Sequence, residues 1–455
     1  MWSESGTGSM SGGGDGRRVE AAEALCEVLR RLGTEHVFGL PGTQNMAFTE
    51  ALRRSRLDWV VPSNELAASF AANGYWRSSG RPAVVSTIPG PGFTWSLTGL
   101  AEARLDSAAV LLITGAYPGG QAKSGLQEIE QTRMARPVVK QAYRVASSGE
   151  LVETVERAHA ETVEGEPGPV LLEIEHPVWD EACSLPVSGD AFGDGPSGTT
   201  PSPADPDDVK ALKHRVASSD RPLLFAGQGA QDSPRELREL AEELEAPVLL
   251  STSGRGALPE SHPLAFPLDR LPAAADSANG LLEAADLVVV LGCRLGHNAT
   301  LGHRLKLPRE KLVRVDASGA VLEEAEYGSS LSVRGDVRQV LRTLPGEGDD
   351  VFGRSGRWHE DASTGSNAGL RATSGEAEPP ADEVRIDGIG SAREFFAAMR
   401  RVVPEDAVLV TDSGLHQMLA RRYYSVEAPR TLVVPTNFQS MGYGVPAAIG
   451  AALAN

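Results

Sequence analysis

The hydrophobic pattern begins with a helix and continues as an alternation of short strands and helices. From Val19 the apolar positions follow the helical period until Gly33 ends the run. Beyond it, short runs that are apolar throughout predict buried strands, at residues 37–40, 59–61, 83–87, 110–114 and 170–174. Amphipathic helices are predicted between most of these strands. This order predicts a parallel sheet with helices on both faces.

The same alternation returns twice further along the chain. A second unit that ends near Leu344 is predicted to contain strands at 223–226, 248–251, 287–291 and 312–315. Ser391 opens a helix, and strands at 407–410 and 431–434 precede a turn at Gly442 and Gly444 that starts a last, Ala-rich helix. The predicted fold class is α/β with three doubly wound parallel-sheet domains, of which the third has too few strands to be complete.

Stretches dense in Gly, Ser, Pro and Asp separate the three units and predict their boundaries. The predicted organisation is a disordered tail at 1–17, a first domain at 18–183, a linker at 184–208, a central domain at 209–345, a second linker at 346–388 and the start of a third domain at 389–455.

Composition excludes several classes of protein. The net charge of -18 over 455 residues argues against binding to nucleic acid or an anionic membrane, because both need clustered Lys and Arg. Apolar runs such as 108–113 and 287–291 are too short to cross a bilayer. Cys26, Cys183 and Cys293 have neither a metal spacing nor a disulfide framework. They predict reduced thiols in a cytoplasmic protein.

Four turns follow predicted strands of the first domain, which is where ligands bind in open parallel sheets. They read GLPGTQN (39–45), PSNELAA (62–68), TIPGPGFT (87–94) and TGAYPGG (114–120). Their glycines, Gly42 and Gly90 among them, let a ligand approach the backbone. Any one of these turns alone is better explained as a tight strand-to-helix connection.

Glu65 distinguishes this set of turns from ordinary connections. It begins a helix whose next residues, 66–68 and 70–72, are almost wholly apolar. Behind a cap at Ser63 or Asn64, a Glu in the first turn can simply interact with the helix dipole. The alternative is a desolvated carboxylate with a raised pKa, which shares a proton with a ring nitrogen.

Several segments resemble one known family in order and spacing. EHVFGLPGTQ, NELAASFAANGYWR, PGPGFTWSLTGLAEARLDSAAVLLITG, LQEIEQTRMARPVVK and EGEPGPVLLEIEHP resemble the pyrimidine-binding domain of thiamine-diphosphate enzymes of the acetohydroxyacid (acetolactate) synthase type. RPLLFAGQGA, AADLVVVLGCRLG and VRVDAS resemble the central, Rossmann-like domain of that family. DAVLVTDSGLHQMLARRYY and TNFQSMGYGVPAAIGAALA resemble the opening of its diphosphate-binding domain, which repeats the thiamine-diphosphate-binding fold.

The resemblance implies a reaction in which the thiazolium carbon of thiamine diphosphate attacks a 2-oxo acid such as pyruvate and carbon dioxide leaves. In the family this reaction serves branched-chain amino acid biosynthesis. Glu65 is implied to hydrogen-bond the aminopyrimidine ring, and Gln127 to lie near the reacting carbon. Met441 is implied to hold the cofactor in its bent form, with a core methionine as the alternative. The other implied contacts with the cofactor are Pro41, Gly42, Gly90, Gly414, His416, Gln417 and Gln439.

Magnesium is implied as the ion that neutralises the diphosphate, held in the family by a Gly-Asp-Gly strand and a later Asn. The sequence ends at Asn455 before such a strand, and its Gly-Asp-Gly strings at 14–16 and 193–195 follow no apolar strand, so no metal ligand is predicted. We therefore expect a chain truncated within its diphosphate-binding domain, or half of a split enzyme, with poor activity by itself. The implied partners are a 2-oxo acid and either a second copy, in a homodimer or homotetramer, or a complementing C-terminal chain.

Two departures from the family pattern concern flavin. PLDRLPAAA (267–275) and CRLGHNA (293–299) replace the family's Gly-Met-His-Gly-like turn and its Arg-Phe-Asp-Asp-Arg stretch, which argues against retained FAD. Leu126 and Asn64 also depart from the family pattern, so the substrate could differ from that of the family.

Three hypotheses remain. The first is an acetolactate synthase-like lyase or carboligase, with a 2-oxo acid decarboxylase as its nearest relative. The second is a non-catalytic or partner-dependent subunit. The third is a nucleotide-binding module built on the central domain, where Gly227 and Gly229 give a weak part of a dinucleotide fingerprint.

Overall fold

The computed structural model describes residues 17–118, 125–185, 203–323, 326–344, 358, 385–386, 388 and 390–455. The predicted tail up to residue 16, most of the predicted linkers, the end of the fourth turn and both Gly-Asp-Gly strings lie outside the described residues.

The first unit is built on a parallel sheet, as the apolar runs predicted. Its strands are β1 (Arg17–Glu20), β2 (His36–Gly39), β3 (Asp58–Val60), β4 (Ala83–Thr87), β5 (Val110–Ala116), β6 (Gln141–Val145), β7 (Val170–Glu175) and β8 (Ala182–Leu185). Its helices are α1 (Ala21–Arg31), α2 (Met46–Arg54), α3 (Glu65–Ser79), α4 (Pro91–Leu105), α5 (Gln131–Ala135) and α6 (Leu151–Val163). Strands β2 to β7 are parallel, in the order β3-β2-β4-β5-β7-β6.

Both faces of this sheet are covered by apolar clusters. Successive residues of a strand point to opposite faces, so Leu111 and Ile113 of β5 join one cluster and Leu112 joins the other. A strand buried in this way is apolar throughout, which explains why the central strands are recognisable in the sequence.

The start of the first unit differs from the prediction. Residues 17–20 form β1, which pairs antiparallel with β8 so that Val19 lies opposite Cys183. The first helix therefore begins at Ala21 and not at Val19, and Arg17 belongs to a strand and not to a tail. A pairing between residues so far apart in the chain leaves no local signal.

The central unit repeats the architecture of the first. Its strands are β9 (Pro222–Ala226), β10 (Val248–Leu250), β11 (Ala265–Pro267), β12 (Leu287–Leu291), β13 (Leu312–Asp316) and β14 (Leu331–Arg334). Its helices are α7 (Pro206–Ala217), α8 (Pro234–Glu243), α9 (Ala274–Ala284), α10 (Gly319–Glu323) and α11 (Val337–Thr343). The six strands are parallel, in the order β11-β10-β9-β12-β13-β14. Helix α7 starts inside the stretch predicted as a linker, because Asp205 caps it through the amide of Asp207.

The third unit has short strands in its described part. These are β15 (Arg385–Ile386), β16 (Gly390–Ser391), β17 (Leu409–Val410) and β18 (Leu432–Val433), with helices α12 (Ala392–Val402), α13 (Leu415–Tyr423) and α14 (Gly444–Ala454). Strands β17 and β18 are parallel neighbours. Ser391 caps α12 in a reciprocal capping box with Glu394, which confirms the predicted helix start. Among the described residues no helix combines the length and apolarity that crossing a bilayer requires.

Helix α14 of the third unit packs along α3 of the first through small residues. A Cβ atom at Gly74 would lie 2.1 Å from the carbonyl oxygen of Ala447, and one at Gly450 would lie 1.8 Å from that of Ala71. In both cases the added Cβ would meet backbone atoms, which cannot move aside as a flexible side chain could. The close approach fixes the third unit directly behind the helix that Glu65 begins.

We predict that Gly450→Ala opens this contact. The added methyl group has no room beside Ala71, and overpacking of this kind costs about 1–3 kcal/mol. The change is measured as faster hydrogen exchange of the α14 amides. Gly280→Ala on α9 is the matched control, since a Cβ there meets nothing within 4 Å. Equal protection of α14 in both variants would show that the small-residue contact does not hold the helices together.

Candidate functional site

Glu65 lies at the carboxyl end of the first sheet, where α3 begins after β3. Asn64 is the cap of α3, and its side-chain oxygen accepts from the amide of Ala67 at 2.8 Å. Glu65 is therefore not needed as the cap. Its side chain is partly buried, and no hydrogen bond or ion pair to the carboxylate is found in the part of the chain that the structure describes. A partly buried carboxylate without a partner at this edge of a sheet is available for a ligand.

The Glu65 carboxylate rests on a glycine in the first turn of α4. A Cβ at Gly92 would lie 2.9 Å from Glu65 Oε1 and 2.8 Å from Ile88 Cγ1. On its other side Ile88 fills the space beside Gly42, where a Cβ would lie 2.4 Å from Ile88 Cγ2. Gly42 and Gly92, the glycine on which Glu65 rests, thus lie next to different branches of one isoleucine that the sequence analysis missed. Pro41, next to Gly42, is exposed.

Gln127 lies against Gly90 in the same group of turns. A Cβ at Gly90 would lie 2.8 Å from the Cβ of Gln127, and the Gly90 φ of 67° is one that only glycine adopts freely. Gln127 has a φ of 66°, a strained value for a non-glycine residue. Its side-chain Oε1 is buried and has no hydrogen-bond partner within the described residues. A strained residue with an unpaired polar atom is characteristic of a ligand site.

Gln131 holds this arrangement together, and the sequence analysis missed it. Its Oε1 accepts from the amide of Gly90 at 3.1 Å, and its Nε2 donates to the carbonyl of Gly115 at 3.0 Å and to Glu173 at 3.1 Å. The side chain is buried, so these bonds fix the turns after β4 and β5 relative to each other. A lone Gln in a short polar helix carries no sequence signal of this role.

In the third unit, the predicted residues follow β17 at its carboxyl end. Gly414 caps α13 with a φ of 130°, and the side chain of His416 is exposed. Gln417 points inward, where its amide donates to the carbonyl of Pro435 at 2.6 Å. Gln417 therefore ties the turns after β17 and β18 together.

The turn before α14 is organised by Asp412. Its carboxylate accepts from the amides of Gly442 at 3.0 Å and Gly444 at 2.9 Å. Gln439 in this turn has a φ of 59°, and Met441 is 84% exposed. The alternative that Met441 is a core methionine is therefore wrong for this chain. Within the described residues, no group of three or more His, Cys, Asp or Glu side chains is arranged to hold a metal ion.

A cavity of about 770 Å³ lies between the first and central units, away from Glu65. The central unit contributes Gly229, in the turn after β9, and the 293–299 stretch to its walls. It occupies the carboxyl-end crevice of the central sheet, which is where nucleotides bind in such sheets. The predicted loss of FAD stays a prediction.

Three models of one class of protein match the chain in the order of its units. The N-terminal TPP binding domain of thiamine pyrophosphate enzymes matches residues 19–134, the central domain 209–344 and the C-terminal TPP binding domain 412–455. The order of these three matches places the chain among the proteins built from thiamine pyrophosphate enzyme domains.

Whole-chain relatives narrow the class. Acetolactate synthase of Arthrospira platensis is 30% identical, across 96% of this chain and 76% of its own length. Acetolactate synthase isozyme 1 large subunit of Escherichia coli K12 is 29% identical, across 96% and 75%. Acetolactate synthase 3, chloroplastic, of Brassica napus is 29% identical across 96% of this chain, and the chain spans only 66% of the length of that protein. The chain belongs to the acetolactate synthase-like family of thiamine pyrophosphate enzymes.

The geometry fits the ring portion of thiamine diphosphate. Glu65 has an unpaired carboxylate and Gln127 has an orphaned buried oxygen, and Gly42, Gly90 and Gly92 let Ile88, Gln127 and Glu65 pack directly against the backbone. These features lie at the carboxyl ends of neighbouring strands, in the unit that matches the N-terminal TPP binding domain.

Proposed function

We propose that the protein catalyses thiamine-diphosphate-dependent decarboxylation and carboligation of 2-oxo acids, as acetolactate synthase does, with pyruvate as the donor. The names of its relatives support this activity. The unpaired Glu65 carboxylate against Gly92 is the observation on which the proposal depends.

The protein's part in this chemistry is to bind, orient and exchange a proton. Bound thiamine diphosphate supplies a nucleophilic carbon. Glu65 would hydrogen-bond a nitrogen of the aminopyrimidine and exchange a proton with it. The side-chain oxygen of Gln127 would accept from a donor on the cofactor or substrate, which gives its buried oxygen a partner. Met441 would support the rings with an exposed, apolar side chain.

The proposed site in the first unit does not include a magnesium ion. No ligand set for it is found among the described residues, and Asp412 is occupied by the amides before α14. The proposed roles of Glu65 and Gln127 do not depend on a metal ligand from this chain.

Assay of the protein purified from its own cells, together with any chain that accompanies it, tests the proposal. We expect release of carbon dioxide from pyruvate only when thiamine diphosphate and magnesium are added. Acetolactate as the second product supports carboligation, whereas acetaldehyde supports the related decarboxylase. Absence of turnover would favour the non-catalytic subunit, and turnover without added cofactor would contradict the proposed role of thiamine diphosphate. Cytoplasm remains the proposed location, supported by three buried, free cysteines.

Gly92→Ala is predicted to impair the site without unfolding the chain. Its methyl group would push the Glu65 carboxylate or Ile88 aside by several tenths of an ångström or more. A misplacement on the order of 1 Å at a catalytic group costs about 10²-fold in kcat/KM. The assay is kcat/KM for pyruvate at saturating cofactor, with Gly280→Ala as the control. If Gly92→Ala kept full activity, the position of Glu65 on Gly92 would be irrelevant to catalysis.

A further inference from the structure

A buried polar contact joins α4 of the first unit to residues 434–443, here called the 434–443 segment. Glu102, in the last turn of α4, and Asp106, the residue that follows the helix, lie one turn apart, and both side chains are buried. Glu102 Oε2 accepts from the amide of Ser440 at 2.8 Å, and Asp106 Oδ2 accepts from the amide of Thr436 at 3.4 Å. The Thr436 hydroxyl also donates to Asp106. Two carboxyl groups of the first unit thus accept hydrogen bonds from the backbone of the third unit.

Only one of the two carboxyl groups has a cation beside it. Arg77 of α3 donates to Asp106 at 2.8 Å and to the carbonyl of Val434 at 3.1 Å. Glu102 has no such partner in the described residues, and its Oε1, like the hydroxyl of Ser440, has no hydrogen bond. Burying a carboxylate without a cation beside it is unfavourable, so the surroundings of Glu102 favour its protonated, neutral form.

The charges around Glu102 act in the same direction. Burial and the Asp106 carboxylate raise the pKa of Glu102 to about 7, and the hydrogen bond from Ser440 opposes this more weakly. The titratable and charged groups that face it are Asp106 at the end of its own helix, Arg77 on α3 and Tyr443 at the start of α14. Burial raises the pKa of Tyr443, whose hydroxyl donates to Asn73 at 2.8 Å, so Tyr443 stays neutral. Glu102 is therefore the group in this contact that changes charge near neutral pH.

We propose that Glu102 is a positioning residue that, in its neutral form, fixes the 434–443 segment on α4 and so sets where Gln439 and Met441 stand. If protonated at Oε1, Glu102 would gain a hydroxyl donor that the Asp106 carboxylate could accept, and its Oε2 would still accept from the Ser440 amide. Ionised Glu102 places a second negative charge beside Asp106 with one arginine to neutralise both. The relevance of Gln439 and Met441 to a cofactor rests on the proposed function, whereas the contact itself does not.

The sign of the pH effect follows from the proton balance. In the unfolded chain Glu102 ionises near its ordinary pKa of 4.5, and in the folded chain near 7. Between these values the folded state binds more protons, so the contribution of this contact to stability falls as pH rises. It is fully present below about pH 4.5 and is lost as pH passes through about 7.

Hydrogen exchange without cofactor tests this proposal. We compare protection of peptides from the 434–443 segment at about pH 6 and about pH 8, one unit on either side of the folded pKa, after correction for intrinsic exchange. In the unaltered protein we expect protection to fall by up to about tenfold at the higher pH, because the proton difference between the open and folded states persists over about one pH unit of this interval. In Glu102→Gln we expect equal protection at both, because a neutral amide accepts from Ser440 and donates to Asp106 without titrating.

Glu239→Gln, which changes an exposed carboxylate on α8, is the control and should keep the fall seen in the unaltered protein. Equal protection of the unaltered protein at both pH values would overturn the proposal, and that measurement needs no folded variant. A fall retained in Glu102→Gln would overturn it as well.

The two proposals fail separately in these experiments. A pH-dependent segment in a protein that neither binds thiamine diphosphate nor releases carbon dioxide would leave the role of Glu102 intact and remove the proposed function. Cofactor-dependent turnover with a segment insensitive to pH would do the opposite. If both hold, thiamine diphosphate affinity in Glu102→Gln should vary less between the two pH values than in the unaltered protein.

Discussion

Glu65→Gln is expected to lower kcat for release of carbon dioxide from pyruvate by about 10²–10⁴-fold, the range that a positioned acid–base group contributes. Glutamine keeps the size of the side chain and a hydrogen-bonding oxygen but cannot exchange a proton with the aminopyrimidine. Because Asn64 and not Glu65 caps α3, the fold should be unaffected. Thiamine diphosphate should still bind, so the loss should appear in kcat more than in cofactor affinity.

Glu153→Gln is the matched control, since Glu153 is also in the first turn of a helix, α6, but is exposed. It should leave kcat unchanged. A Glu65→Gln protein as active as this control would mean that Glu65 only interacts with the dipole of its helix.

The second large effect concerns a buried ion cluster between the central and third units. The guanidinium of Arg255 is fully buried and pairs with Glu260 at 2.5 Å. It also donates to the carbonyls of Arg421 at 2.7 Å and Tyr424 at 2.6 Å, at the end of α13. Asp269, in the PLDRLPAAA stretch, accepts from Arg421 at 2.6 Å. The stretch that departs from the family pattern therefore forms a junction between units.

Arg255→Met is predicted to weaken this junction by about 3–5 kcal/mol, the cost of removing one partner of a buried ion pair. Glu260 would be left in the interior without its nearest cation, and two carbonyls would lose their donors. The measurement is the free energy of opening of α13 from hydrogen exchange, because a chain of several units need not unfold in one step.

Arg53→Met provides the comparison, since Arg53 pairs with Glu50 at 2.8 Å on the surface of the first unit and its loss should leave the opening of α13 unchanged. In the single variant Glu260 keeps Arg270 at 2.7 Å but loses its nearest cation. A double variant, Arg255→Met with Glu260→Leu, should recover part of the loss because no carboxylate remains at position 260. If Arg255→Met changed α13 no more than Arg53→Met did, the junction would not hold the third unit.

The central strands of both sheets were predictable, and most of the edge strands were not. Strands β4, β5 and β7, and β9 and β12 in the second sheet, are buried on both faces and begin with runs of apolar residues. Within the two six-stranded sheets, the three strands that the sequence analysis missed, β6, β11 and β14, all lie at edges. Edge strands carry polar side chains on their open sides, as Gln141 and Arg144 of β6 show, so their pattern is that of a loop.

Some residues of the candidate site were likewise predictable from the sequence and others were not. Glu65 was found because a carboxylate at the start of an apolar helix is unusual, and the glycines were found because they follow strands. Ile88, Gln131 and Glu102 were missed because their roles depend on neighbours brought by other strands or units. Glu102 alone had a signal, as a carboxylate within the mostly apolar run of α4.

Exchange of the C2 proton of bound thiamine diphosphate for deuterium, followed by NMR after rapid mixing, tests the central claim most directly because it needs no substrate. The account predicts exchange on the protein that is faster than for free cofactor, and a loss of about 10²-fold or more in Glu65→Gln with the cofactor still bound. Equal exchange rates for the unaltered protein and Glu65→Gln, both with cofactor bound, would contradict the role assigned to Glu65.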